Sequence, residues 1–149
     1  MNNAERWLKI VLWLFGAPCL LALVAVVMPR GWMAVTHEWL GMGTLPDKPI
    51  VEYLARTTSG LFFLYGWLLL LFASDVHRYA RAITLQAIIV IGLSGVGAVL
   101  GFRAGMPLWW MIGDIGSCWL CCGAILWLQK RIPAVKSAAG QPQPLRSVA

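Results

Sequence analysis

Two groups of residues have the types and spacing to do chemistry. The first is Asp114, the only charge in the 26 residues from Ala104 to Gln129. An acid in so apolar a segment is expensive unless a partner holds it, and inside membranes such groups serve proton relays, substrate paths or interhelical ion pairs. Arg56 is the expected partner. At the rise of an α-helix Asp114 lies about 21 Å from Leu128 and Arg56 about 27 Å from Ser74, a difference that the arginine stem covers. Thr57, Thr58 and Ser117 would add hydrogen bonds. The plainer role for the pair is to set the register of two helices; the other is to move a proton or a substrate. Glu52, one turn before Arg56, can also pair with it.

The second group is Cys118-Trp119-Leu120-Cys121-Cys122. Offsets of four, seven and eight residues put these thiols on one helical stripe with Asp114, and Cys19 stands at a comparable depth in the first apolar stretch. Four thiols could bind a metal or exchange a disulfide. An apolar setting disfavours the thiolate that either process needs, and redox C-x-x-C pairs normally cap a helix N-terminus, whereas this motif falls mid-helix. Packing as small hydrophobes is the expectation. His37 beside Glu38, and His77 in the turn from Asp75 to Tyr79, stand apart from any second imidazole and read as solvated. The chain has no phosphate-binding glycine loop, Ser-His-Asp set, His-pair metal motif or opposed histidines for haem, and no nucleic-acid motif. No catalytic residue, metal or cofactor is expected.

The elements that carry these residues follow from the scarcity of charge. The chain is 149 residues long, 60% hydrophobic and 12% charged, against about one-quarter charged in soluble domains. Lys9 and Arg30 enclose 20 uncharged residues, Arg56 and Asp75 enclose 18, and Arg81 and Arg103 enclose 21. Each run can cross hydrocarbon, and since none alternates with a period of two, each is a helix and not a barrel strand. Four spans are expected, at about 9–29, 50–74, 82–102 and 106–129. The first is too long for a signal-peptide core of about 7–15 residues and is read as retained.

Gly16-Ala17-Pro18 should break the first span, because proline removes a backbone donor. From Trp32 to Leu40 apolar residues stand at 32, 35 and 39 and polar ones at 36, 37 and 38. This predicts a short amphipathic helix lying at the membrane interface or roofing the bundle, before Gly41-Met42-Gly43 turns the chain back. Pro49 suits the first turn of the next helix. In the third span Gly97 and Gly101 form a G-x-x-x-G packing motif, for a helix of this chain or of a second copy. Most tryptophans suit interfacial belts; Trp13, Trp67 and Trp119 lie deeper and are expected to pack.

One side of the membrane collects eight Lys and Arg residues (Arg6, Lys9, Arg78, Arg81, Lys130, Arg131, Lys136, Arg146) and the other four (Arg30, Lys48, Arg56, Arg103). By the positive-inside rule both termini are cytoplasmic, and an anionic leaflet attracts the net charge of +6. Residues 133–149, rich in Pro, Ser and Gln, are expected to form a disordered cytoplasmic tail.

With four short spans, an Arg-x-x-x-Gly pair (Arg56, Gly60) opening the second, a glycine-rich third and an acid in the fourth, residues 1–132 resemble small bacterial inner-membrane proteins of uncharacterised role, including the DoxX-like group. The resemblance is architectural. It implies a compact bundle, sometimes found beside respiratory or thiol-linked proteins, and assigns no catalytic residue. The reading is thus an all-α, four-transmembrane-helix bundle with an interfacial helix between spans one and two. A non-enzymatic accessory, assembly or interaction subunit comes first. A small proton-coupled carrier using Asp114 and Arg56, and a thiol or quinone-linked redox protein, are the alternatives. Expected partners are the lipid bilayer and a second copy or a larger membrane complex, with no nucleic acid.

Overall fold

The computed structural model describes residues 2–132; the expected tail, 133–149, lies outside them. Six helices follow one another: α1 (Asn3–Leu20), α2 (Ala22–Val27), α3 (Arg30–Trp39), α4 (Pro49–Ser74), α5 (Ala80–Arg103) and α6 (Leu108–Lys130). Among the described residues there is no strand. Four stretches are long and apolar enough to cross a membrane: Asn3–Val27, Pro49–Ser74, Ala80–Arg103 and Leu108–Lys130. The shortest, at 23 residues, is about 35 Å long and outreaches a hydrocarbon layer of about 30 Å. The first helix begins at Asn3, well before the uncharged run that starts at Ile10, because Glu5 and Lys9 are good helix formers that face each other one turn apart at 3.7 Å.

The first span is interrupted at Leu21, three residues beyond Pro18. There Leu21 N–H bonds to the Pro18 carbonyl and Val24 N–H to the Leu21 carbonyl, both at 3.0 Å. This tightening to i→i+3 bonds separates α1 from α2. The second half of the span then packs on α4.

The close pairs are α1–α4, α2–α4, α1–α6 and α5–α6, so the helices run in the spatial order α4, α1, α6, α5. The core lies at the end that holds the start of α1 and the α4–α5 turn. It is built from Leu8 and Leu12, Leu69, Phe72 and Ala73, Ile83 and Ala87, and Cys122, Ile125 and Leu128. Polar ties close the same end: Glu5 Oε2 meets His77 Nε2 at 3.5 Å, Thr84 Oγ1 donates to Gln129 Oε1 at 2.5 Å, and Gln129 Nε2 donates to the Ala80 carbonyl at 2.9 Å. Between α4 and α5, Gln86 Nε2 donates to the Tyr65 hydroxyl at 2.5 Å.

The closest backbone approach joins Gly16 of α1 to Gly66 of α4. A Cβ on Gly66 would stand 2.8 Å from the Gly16 carbonyl oxygen, and one on Gly16 would stand 3.1 Å from that of Gly66. The expected G-x-x-x-G motif makes no such approach. A Cβ on Gly97 would meet nothing within 4 Å, and Gly101 faces only the flexible Met111 side chain at 3.6 Å. Spacing alone marks a helix face as smooth; whether another backbone lies against it depends on how the helix is rotated in the bundle.

The opposite end is looser. There α3 sits apart with no buried residue, its Trp32, Val35 and Trp39 exposed. Its apolar face is therefore not turned into the bundle as a roof. Gly41 and Gly43 take φ of +70° and +78° to turn the chain back, His37 Nδ1–H donates to the Gly43 carbonyl at 2.9 Å, and Arg30 pairs with Asp47. Trp13, Trp67 and Trp119 are each more than half exposed, a correction to the expectation that they pack inside. They point away from the narrow core, and among the described residues only Trp119 of the three has a polar partner, donating to Ser94 Oγ at 2.8 Å.

Candidate functional site

Arg56 stands on α4 one turn beyond Glu52, and the two form the ion pair that their spacing allows. Nε and Nη2 of Arg56 reach Glu52 Oε1 at 3.0 and 2.7 Å. The rest of the guanidinium turns to the end of α2. Nη2 donates to the Met28 carbonyl at 3.0 Å and Nη1 to the Val26 carbonyl. The last carbonyls of a helix have no intrahelical donor, and Pro29, lacking an N–H, cannot supply one. A cation at that terminus also meets the negative end of the helix dipole.

This arrangement overturns the expected pair. Among the described residues no ion pair joins Arg56 to Asp114; Arg56 takes Glu52 and two carbonyls instead. The carrier reading that joined the two residues loses its geometry. Sequence counting matched their depths, but depth says nothing about which neighbour α4 has, and α4 packs on α1 and α2. The missed acceptors were the carbonyls beside Pro29, for which X-Pro after an apolar helix was the available signal.

Asp114 keeps its stripe. It is seven and eleven residues before the buried Cys121 and Ile125, hence within about 20° of both around the helix axis. Nevertheless Asp114 is exposed. The close neighbours of α6 are α1 and α5, while α2, past the break at Leu21, follows α4. On the outer half of α6 the side that bears Asp114 is exposed. Gly113 and Ser117, on the same side, are exposed as well. Ser117 Oγ turns back to the Asp114 carbonyl at 2.9 Å, so the hydroxyl serves the backbone and not the carboxylate. Thr57 and Thr58 are exposed on α4.

The four cysteines are free thiols. Cys121 and Cys122 are buried and Cys19 and Cys118 half-buried. A Cβ on Gly66 would stand 3.0 Å from the Cys19 Cβ, so that thiol packs into the α1–α4 contact. Among the described residues no three His, Cys, Asp or Glu side chains come together in a way that could hold a metal ion. The stripe packs the core at Cys122 and leaves the bundle interior above Cys118.

No protein family, curated protein or solved structure was found to match the chain.

Proposed function

We propose that the chain is a non-enzymatic subunit of a bacterial inner-membrane complex, with an accessory or assembly role and both termini in the cytoplasm. The observation that carries this reading is Asp114: a carboxylate on an apolar helix, exposed, and without an ion pair among the described residues. Hydrocarbon makes that position expensive, and a neighbouring transmembrane helix with a basic residue at the same depth would relieve it. Gly113 and Ser117 beside it leave room for a close approach of backbones. A symmetric second copy would bring two carboxylates together, which disfavours a homodimer through this face.

Purification of wild type from native membranes in mild detergent tests the reading. A stoichiometric larger partner is expected, lost in Asp114→Lys and regained when the partner's basic residue is changed to an acid. A wild-type chain that elutes alone, or as a dimer unchanged by Asp114→Lys, would overturn it.

A further inference from the structure

The start of α1 carries a feature with no part in the Asp114 face. Arg6, Lys9, Ile10, Trp13 and Leu14 line one shallow slot on the outside of the bundle. Their spacing, with steps of three and one, is that of a single helical stripe. It passes from two cations to exposed apolar side chains: Ile10, Trp13 and Leu14 all face outward. Ala17 and Pro18, exposed one turn further on, prolong the stripe with small groups that stand low on the helix surface.

Arg6 makes no ion pair among the described residues. Glu5, one residue before Arg6, lies against Lys9 at 3.7 Å and His77 at 3.5 Å and not against Arg6. The slot walls are apolar: the stems of the two cations and the Trp13 ring. Cationic heads above an apolar track are what a molecule with a phosphate at one end and a hydrocarbon chain at the other requires.

We propose that this slot is a binding site for an anionic phospholipid, with its phosphate between Arg6 and Lys9 and an acyl chain along Ile10, Trp13 and Leu14 toward Ala17 and Pro18. The site rests only on the membrane placement of the four spans and is independent of any partner at Asp114. Arg78 and Arg81 stand at the same end of the bundle, in the α4–α5 turn and the start of α5, and supply the control for charge alone.

The full chain, delipidated in mild detergent, is titrated with phosphatidylglycerol or with phosphatidylcholine of the same acyl chains, and bound lipid is counted by native mass spectrometry. Wild type should hold phosphatidylglycerol about tenfold more tightly. Arg6→Gln with Lys9→Gln should remove that preference, whereas Arg6→Lys with Lys9→Arg should keep it and so exclude simple loss of folding. Arg78→Gln with Arg81→Gln should leave it unchanged. Equal binding of the two lipids by wild type, an undiminished preference in the Arg6/Lys9 glutamine variant, or an equal loss in the Arg78/Arg81 variant would each overturn the site. Loss of a co-purifying partner on charge reversal at Asp114 would leave this result untouched, so the two readings fail separately.

Discussion

Arg56 reaches a carboxylate and two carbonyls at once because its guanidinium is a planar fork with five donors. A lysine there keeps the charge but offers one point, so Arg56→Lys should retain only part of the stabilisation. Arg56→Ala should cost about 1.5–3 kcal/mol, the range for hydrogen bonds to a charged group. Double-mutant cycles on detergent-solubilised protein check the assignment. Arg56 and Glu52 should couple by at least about 0.5 kcal/mol, whereas Arg56 and Asp114 should add within about that margin. Strong coupling of Arg56 to Asp114 would return the pair expected from depth alone. At the cysteines, alkylation should label Cys19 and Cys118 ahead of Cys121 and Cys122, and reductant should not change the pattern, since all four are free. The cysteine stripe was legible in the sequence from its offsets. Its division into buried and half-buried thiols was not, because that depends on where α1 leaves α6.

At the scale of elements, the uncharged runs were enough to define four helices, and the apolar and polar positions from Trp32 to Leu40, ended by Gly41 and Gly43, were enough to place α3 between two of them. Contacts between helices were less legible. Gly97 and Gly101 match a known packing spacing but face open space and a methionine, whereas Gly16 and Gly66, isolated glycines on different helices, bring two backbones together. No motif marks such a pair, because half of it lies on each helix. Gly66→Ala should therefore destabilise the α1–α4 contact by about 1–3 kcal/mol, the usual range for overpacking, and a larger residue there should lower the yield of folded protein further. Gly97→Ala should be neutral or slightly stabilising, as alanine is the better helix former. Thermal unfolding in detergent compares the two; a neutral Gly66→Ala would mean that the helices do not approach this closely.

For the molecule as a whole, the bundle is packed and tied at the end with the α4–α5 turn and opens at the end with α3. The excess of Lys and Arg lies at the packed end, and proteolysis of inverted membrane vesicles should remove a C-terminal epitope tag that is protected in intact cells; the opposite pattern would reverse the proposed orientation. The lack of charge across long runs decided by itself that the chain is helical and fitted to lipid, because backbone groups in hydrocarbon have no partner except their own helix. Tertiary structure alone decided which helices touch, that Arg56 is taken by Glu52 and the end of α2, and that Asp114 is left facing outward. These outcomes turn on the rotation and tilt of whole helices. The break at Leu21 and the Gly16–Gly66 contact belong to that arrangement, and nothing in the local sequence around Asp114 records either.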